Sequence, residues 1–321
     1  MNLKTITIGT NDAGQRLDKF LIKSFPNLPK SMLYKSIRKK DIKCNGKRCE
    51  NSTHLQIGDI LTLYLKDDFF TDAEQTYDFL KAPVKLNIVY EDENLILLDK
   101  KPGLIVHPDE NCHFDSLIAR IQHYLYNKGE YKPSNELSFA PALINRIDRN
   151  TGGIVMAAKN ADTLRILNEK VKKRELDKYY LCVVHGKMPK IQDTLKGYLE
   201  KNESQKRVYI SKKSNAYTKS ILTHYQVIEE KQNYSLLKIK LLTGRTHQIR
   251  AHMASIGHPL AGDGKYGTNQ LNKTNRYPFQ ALYSYKLRFS FQTPAGILEY
   301  LNHQEFTIKD IWFLKDFLQF P

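Results

Sequence analysis

The sequence predicts an α+β fold with two domains, and three features of the 321-residue chain support this prediction. The first 65 residues follow the pattern of two short helices, a hairpin and a final strand. An acidic stretch with five Asp or Glu, residues 67–82, comes next and ends before Pro83. The remainder alternates strands with short helices and has no Gly-rich phosphate loop. We therefore expect domains at 1–66 and 83–321, joined by a linker at 67–82.

Hydrophobic spacing and one turn define the elements of the N-terminal domain. Helices are expected over 15–25 and 29–40, because apolar residues recur there at helical spacing. Asn45-Gly46 is the strongest short hairpin signal, since both residues tolerate positive φ. Residues 57–65 alternate between apolar and polar and predict the closing strand. The expected inward positions of the two helices are Leu17, Phe20, Leu21, Phe25, Leu33 and Ile37.

Positive charge is concentrated in the N-terminal domain. Residues 1–65 hold twelve Lys or Arg against five Asp or Glu, and the whole chain carries a formal charge of +16. Such an excess suits a polyanion, which binds basic surfaces by releasing its counterions. A solvated lysine face is the bland alternative. Anionic membrane is a second alternative, but no apolar run approaches the ~20 residues of a spanning helix, so we expect no membrane partner.

The order of these N-terminal features resembles the S-four-type RNA-binding domain. The resemblance covers residues 14–65 and includes Arg16-Leu-Asp-Lys-Phe-Leu, the basic second helix, Asn45-Gly46-Lys47 and Gly58-Asp59. It implies that the lysine-rich helix and the hairpin bind RNA rather than only water. The expected RNA-binding side chains here are Lys35, Arg38, Lys39, Lys40 and Lys47.

Composition and cysteine use indicate a soluble cytoplasmic protein. Hydrophobic residues make up 41% and charged residues 26% of the chain, and the first ten residues lack the apolar core of a signal peptide. We expect all four cysteines to be reduced packing residues. Zinc binding at Cys44 and Cys49 is not expected, because no second pair of ligands follows them. The other two cysteines are Cys112 and Cys182.

One carboxylate stands out in the larger domain. Asp148 lies between Arg146 and Arg149, just before a glycine turn and the apolar run 154–158, which predicts a buried strand. Cations within a few ångströms keep a carboxylate ionised, and an ionised carboxylate can act as a nucleophile or base. The alternative is a surface Asp that caps a turn.

A second segment, residues 241–259, is rich in Arg and His. Thr243 is expected to cap a helix that runs to about Ile256, with Gly257 as its stop. Arg245 would then lie at the helix N-terminus, where free amides and the dipole favour anions. His247 and His252 are five residues apart, whereas two metal ligands on one helical face are four apart. Both histidines are therefore expected to be hydrogen-bonded framework residues.

The third segment, residues 174–186, alternates as a strand does. Tyr180 shares the face of Cys182 and Val184, so its ring is expected to point inward. A core tyrosine is the default interpretation, and stacking on a base is the functional alternative.

These three segments occur in the order typical of the RluA-type pseudouridine synthases, and the sequence is similar to that family from about Val84 to Phe291. The matching motifs include Tyr90-Glu-Asp-Glu-Asn-Leu, Arg146-x-Asp148-x-x-Thr151-x-Gly153, Lys178-x-Tyr180, Gly244-Arg-Thr-His-Gln-Ile-Arg250 and Gly257-x-Pro-Leu-x-Gly-Asp-x-x-Tyr-Gly267. The resemblance implies a mixed, mainly antiparallel sheet with flanking helices, and no cofactor or metal.

The resemblance also implies roles for individual residues. The family's catalytic aspartate falls on Asp148, its active-site tyrosine on Tyr180 and its active-site basic residue on Arg245. Arg245 would pair with Asp148, Tyr180 would pack on the uracil, and Arg146 would brace the space that the extruded base leaves. The implied reaction isomerises uridine to pseudouridine in structured RNA, most of all large-subunit ribosomal RNA, with transfer RNA as the second possibility. We expect a monomer.

Two departures from the family pattern keep a second hypothesis open. Asn145 replaces the usual His, and Gly152 replaces the usual Ser. Asn145 should keep hydrogen bonding, so we expect activity to survive. The alternative is a non-catalytic RNA-binding factor in ribosome assembly on the same scaffold. A metal-dependent nuclease fails on the histidine spacing and on the absence of clustered acids.

Two further elements can be predicted from pattern. The pattern of residues 89–100 predicts two strands around an acidic turn, and that of residues 306–318 predicts an amphipathic helix. Trp312 is expected to be a core anchor of that helix rather than a platform for a base.

Overall fold

The computed structural model describes residues 2–70, 77–110, 114–267 and 277–319. In these residues the chain forms two β-sheets, one small and one large, together with several helices. The predicted α+β fold class is therefore confirmed. The small sheet has the order β1-β4-β2-β3, and all of its pairs are antiparallel. Its strands are β1 (Asn2–Thr7), β2 (Ile42–Cys44), β3 (Lys47–Arg48) and β4 (Ile60–Leu65).

Two helices pack on the small sheet, and the expected elements are confirmed. Helix α1 spans Leu17–Ser24 and α2 spans Lys30–Lys39. Asn45 and Gly46 form the turn of the hairpin with φ values of 52° and 71°. The core of this region is a separate hydrophobic cluster drawn from residues 6–65. Strand β1 was not predicted, although its Ile6 and the following Ile8 are buried while Thr5 and Thr7 are exposed.

The large sheet has eleven strands in the described part of the chain, and all but one of its pairings are antiparallel. The exception is β8 with β14, which run parallel, so the mixed, mainly antiparallel sheet is confirmed. The order is β11-β10-β12-β13-β9-β14-β8-β6-β5, with β15 on β14 and β7 on β8. The strands are β5 (Ile88–Glu91), β6 (Leu95–Lys100), β7 (Ala142–Leu143), β8 (Gly152–Ala158), β9 (Leu176–His185), β10 (Gln192–Asn202), β11 (Arg207–Ser211), β12 (Lys219–Glu230), β13 (Tyr234–Leu241), β14 (Leu282–Phe289) and β15 (Glu305–Thr307).

Two hydrophobic clusters cover the two faces of this sheet. The predicted strand at 154–158 lies within β8, whose residues are all buried. Alternation along β9 places Tyr180, Cys182 and Val184 in one cluster and Leu181 and Val183 in the other. The remaining α-helices among the described residues are α3 (Leu117–Asn127), α4 (Ala161–Lys173), α5 (Gln248–Ser255) and α6 (Leu314–Leu318).

The C-terminal helix predicted over 306–318 is wrong. Residues 305–307 form β15, because Phe306 pairs with Leu287 of β14 and their backbone groups enter the sheet. Only Leu314–Leu318 are helical. Trp312 does anchor the core, as expected, through edge contacts with the rings of Tyr277 and Phe313.

The two regions touch through the loop before α1. Asn11 donates from Nδ2 to Glu136 at 3.0 Å, and Gln15 donates to the hydroxyl of Ser138 at 2.7 Å. In the expected linker, Asp67–Phe69 and Asp78–Lys81 form short 3-10 turns, while residues 71–76 lie outside the described residues. None of the described helices is long and apolar enough to cross a bilayer.

Candidate active site

The three segments singled out in the sequence meet at one cleft. The cleft has a volume of about 710 Å³ and is lined by residues of 144–151, by Lys178 and Tyr180, and by residues 244–250. Strand β9 supplies the tyrosine, the loop before β8 supplies Asp148, and the loop and first turn of α5 supply the basic residues. The family resemblance implied that these segments come together, and the structure places them around one cleft.

Asn145 fixes the loop that carries Asp148. Its side-chain amide donates to the carbonyl of Ile154 at 3.2 Å and accepts from the amide of Met156 at 2.8 Å, so it acts as an additional sheet pairing to β8. The amide of Thr151 closes the turn by donating to the carbonyl of Asp148 at 3.0 Å. The expectation that Asn145 keeps hydrogen bonding is confirmed.

Gly152 is explained by a neighbouring ring. A Cβ at Gly152 would lie 2.7 Å from Cδ2 of Tyr283, and nearer still to Cε2. The Tyr283 hydroxyl donates to Asp99 at 2.6 Å, which holds the ring in this place. Gly153 follows with φ of 115° and approaches the backbone of Ser284 too closely for any side chain. The Tyr283 ring therefore occupies the space that a serine side chain at position 152 would need.

The partner of Asp148 is Arg250, not Arg245. Nη1 of Arg250 donates to Oδ2 of Asp148 at 2.7 Å. The same guanidinium grips Asp263 with two hydrogen bonds of 2.7 and 2.8 Å. Against the opposing effect of burial, the Asp263 and Asp148 carboxylates raise the pKa of Arg250. The predicted pairing of Arg245 with Asp148 is therefore wrong.

The error comes from the start of α5. The helix begins at Gln248, after His247 in a left-handed conformation with φ of 52°. Thr243 does not cap it; its hydroxyl donates to Oε1 of Gln248 at 2.9 Å and accepts from the amide of Leu222. Arg250 therefore occupies the first turn and reaches Asp148, while Arg245 lies in the preceding loop, exposed at the cleft rim.

Lys100 is a buried cation behind the same loop that the sequence did not reveal. Its ammonium donates to the carbonyls of Lys101, Leu104 and Arg149, at 3.1, 2.8 and 2.8 Å. Burial lowers the pKa of Lys100 to about 7, while the charges of Asp148 and Asp99 act in the opposite direction. A lysine at the end of β6, where it follows four apolar residues and Asp99, was the available signal.

Tyr180 points inward, as predicted, and lines the cleft. Its side chain is buried, and it belongs to the cluster of Cys182 and Val184. Burial raises the pKa of Tyr180 to about 12. Because the phenol stays neutral at ordinary pH, it can donate a hydrogen bond or pack its ring on a flat ligand.

Both histidines of the 241–259 segment are hydrogen-bonded framework residues, as expected. Nδ1 of His247 lies 3.0 Å from the hydroxyl of Tyr266, and its Nε2 lies 3.9 Å from Oδ2 of Asp148. Nδ1 of His252 lies 3.0 Å from the hydroxyl of Thr223. Burial lowers the pKa of both, to about 4 for His252.

Metal-ligating side chains do not cluster in the part of the chain that the structure describes: no group of three or more could hold an ion. Cys44, Cys49 and Cys182 are free thiols, in agreement with the prediction. Cys112 lies outside the described residues.

The expected RNA-binding residues fall in two places. Arg146 is exposed on the cleft wall, whereas Arg149 donates from Nε to the carbonyl of Gly103 at 3.1 Å. The other group lies on α2 and the hairpin of the small sheet, where every member is exposed and no ion pair with another described residue is seen. Its members are Lys35, Arg38, Lys39, Lys40 and Lys47.

Comparison with known proteins agrees with this site. Residues 94–255 match the family model described as RNA pseudouridylate synthase. The chain is 34% identical over 276 residues to the ribosomal large subunit pseudouridine synthase C of Buchnera aphidicola, covering 84% of this chain and 82% of that protein. It is 31% identical over 298 residues to the protein of the same name from Vibrio cholerae, covering 91% and 89%.

Solved structures show the same fold. The human RNA pseudouridylate synthase domain containing 4 matches with a TM-score of 0.55 at 18% identity, over 71% of this chain and 90% of that one. The human RNA pseudouridylate synthase domain containing 1 matches with a TM-score of 0.53 at 21% identity, over 77% and 96%. The family-model match and the sequence relatives show that the chain belongs to the RNA pseudouridylate synthase family and is an enzyme of the isomerase class.

Proposed function

We propose that this enzyme isomerises uridine to pseudouridine in large-subunit ribosomal RNA, with Asp148 as the catalytic carboxylate. The observation that carries the proposal is the ion pair of Asp148 with Arg250 at 2.7 Å inside a cleft that also holds Tyr180. The ribosomal substrate is supported by the names of the relatives from Buchnera aphidicola and Vibrio cholerae.

The geometry suits a carboxylate that must be held in one orientation. Arg250 is fixed by Asp263 on its other edge, so it presents one N–H to Asp148 in a set orientation. Oδ2 of Asp148 is held, and the carboxylate is still partly exposed to the cleft. Such a group can assist cleavage of the C1′–N1 bond, by attack at C1′ or by removal of the sugar proton at C2′.

The other site residues take supporting roles in this proposal. Tyr180 packs on the uracil, and its neutral hydroxyl is available for proton transfer. Arg146 fills or braces the stack that the extruded base leaves. Arg245 loses the role of partner to Asp148 and becomes, at the exposed rim, a contact for RNA phosphate.

We further propose that residues 1–66 form an S-four-type RNA-binding domain that holds the RNA through α2 and the hairpin. The exposed cations there form no ion pair with another described residue, which supports this role, because phosphate contacts supply sequence-independent affinity. The proposal includes a linker at 67–82, a catalytic domain at 83–321, a monomeric state and a cytoplasmic location, all of which rest on the sequence.

Mapping pseudouridine in total RNA from cells with and without the gene tests the proposal. We expect at least one uridine of large-subunit ribosomal RNA to lose its modification and to regain it with the wild-type gene but not with Asp148→Asn. An unchanged map in both ribosomal and transfer RNA would contradict the proposed activity. Loss confined to transfer RNA would contradict the ribosomal substrate alone.

A further inference from the structure

Lys178 shares the cleft with Tyr180 but has no part in the roles given above. It lies on β9 two residues before Tyr180, so both side chains project from the same side of the strand. Both line the cleft, together with the apolar side chains of Val171 and Leu282. Lys178 is partly buried, so its ammonium is placed in the wall of the cleft rather than on the open surface.

The charge of Lys178 is uncompensated within the described part of the chain. No hydrogen bond or ion pair joins its ammonium to another described residue, and burial alone lowers its pKa. The acids nearest in sequence are engaged elsewhere: Asp177 binds Lys240 at 2.8 Å and Glu175 binds Lys170 at 2.8 Å. Arg250, the other cation withdrawn from water in the cleft, has two carboxylate partners.

A partly desolvated cation without a partner favours an anionic ligand. Loss of hydration disfavours the charged ammonium, and an anion placed beside it restores that interaction. A neutral ligand in the cleft would remove more water and leave the charge uncompensated. Arg146 and Arg245 differ from Lys178 here, because both are exposed and keep their water.

We propose that Lys178 binds an anionic oxygen of the nucleotide that occupies the cleft beside Tyr180, either a backbone phosphate oxygen or an oxygen of the departing uracil. This inference rests on the proposed function. When C1′–N1 breaks, its electron pair leaves with the uracil, which becomes an anion with charge on O2 and O4. C5 then bonds to C1′ and loses its proton, and N1 gains one. Lys178 stays protonated throughout and supplies only charge.

Single-turnover kinetics of Lys178→Met on a ribosomal RNA fragment separates the two sources. A phosphate is charged before and during the reaction. If Lys178 binds a phosphate, loss of this contact should raise the half-saturating RNA concentration by about 10- to 100-fold and leave the maximal rate unchanged. The uracil oxygen becomes charged only as the bond breaks. If Lys178 binds this oxygen, loss of the contact should lower the maximal rate by about 10- to 100-fold and leave the half-saturating RNA concentration unchanged. Either result supports the proposal.

Matched variants keep the test decisive. Lys172→Met, on the exposed side of α4, should change neither constant. Lys178→Arg should recover part of the loss, because it keeps the charge. Lys178→Met should melt no lower than the wild type, since it removes an unpaired charge from the cleft wall.

Two outcomes overturn the role of Lys178 while the proposed function stands. One is wild-type turnover with both constants of Lys178→Met within about twofold of the wild type. The other is an equal loss in Lys178→Met and Lys178→Arg together with a lowered melting temperature, which would make Lys178 structural. Absence of turnover by the wild-type protein would overturn the proposed function, and this inference with it.

Discussion

The cleft around Asp148 and the basic surface of α2 are built in opposite ways. In the cleft, Asp148 and Arg250 are 102 residues apart in sequence, and Asp263 completes their network from a third segment. On α2 the basic side chains follow one another in sequence, are exposed and make no ion pair with another described residue. A site for chemistry needs fixed orientation, which only tertiary contacts supply, whereas a surface for a polyanion needs only charge.

This contrast predicts different responses to substitution. Changes in the cleft should lower the reaction rate or the free energy of unfolding, because they break networks that are partly buried. Changes on α2 should lower RNA affinity and leave the rate at saturation intact.

Arg250→Met should have the largest effect on the free energy of unfolding. It removes the guanidinium hydrogen bond from Asp148 and both guanidinium hydrogen bonds from Asp263, whose side chain is fully buried. We expect a loss of about 3–5 kcal/mol in the free energy of unfolding and of at least about 100-fold in the single-turnover rate of the folded protein. Denaturant unfolding and rapid-quench kinetics would measure the two.

Arg245→Met is the matched control, because it removes a guanidinium from the exposed rim of the same cleft. Its free energy of unfolding should stay within about 0.5 kcal/mol of the wild type. If Arg245→Met lost more rate at saturating RNA than Arg250→Met, the assignment of Arg250 as the partner of Asp148 would be wrong.

His252 should make the stability of the cleft region depend on pH. Burial lowers its pKa from the ordinary 6.5 to about 4 in the folded protein. The unfolded chain therefore takes up a proton first as pH falls, so stability is full above pH 6.5 and declines between 6.5 and 4. The difference between the two pKa values corresponds to about 3 kcal/mol in the free energy of unfolding.

Denaturant unfolding between pH 7.5 and 4 would measure this dependence. His252→Gln should flatten the decline, whereas His54→Gln should leave it unchanged, because His54 is exposed in the N-terminal region. An equal slope in wild type and His252→Gln would refute the role of His252.

Gly152→Ser restores the usual family residue and should nevertheless destabilise this protein. The new Cβ would meet the ring of Tyr283, which Asp99 holds in place. We expect a loss of about 1–3 kcal/mol from overpacking, measured by denaturant unfolding. Gly152→Ser with Tyr283→Ala should lose less than the sum of the two single changes. An additive result would contradict the contact.

Arg38→Gln should have the smallest effect. It removes one exposed charge from α2, so RNA affinity should fall a few-fold and the slope of log affinity against log salt should decrease by about 1. The maximal single-turnover rate should not change. A lower maximal rate with unchanged affinity would show that α2 serves the chemistry instead.

Local features of the sequence predicted much of the fold. The hairpin at Asn45-Gly46, the helices α1 and α2 and the buried strand β8 each depend on neighbouring residues, and each was placed within a few residues. The C-terminal helix failed because β15 exists only through its pairing with β14, a contact that residues 305–307 do not encode alone.

The sequence predicted which residues lie in the candidate site but not how they pair with one another. Asp148 and Tyr180 lie in one cleft as expected. The partner of Asp148 was misassigned because the start of α5 depends on the left-handed backbone of His247 and on the bond of Thr243 to Gln248. Lys100 was missed because its three partners are backbone carbonyls, which every residue has and which residue identity therefore does not reveal.

The most direct test of the central claim is the single-turnover conversion of a ribosomal RNA fragment by wild type and Asp148→Asn. The amide keeps the shape of the side chain and removes its charge. We expect wild type to form pseudouridine and Asp148→Asn to form none above background, while both bind the RNA with similar affinity. Full conversion by Asp148→Asn would contradict the assignment of Asp148 as the catalytic carboxylate.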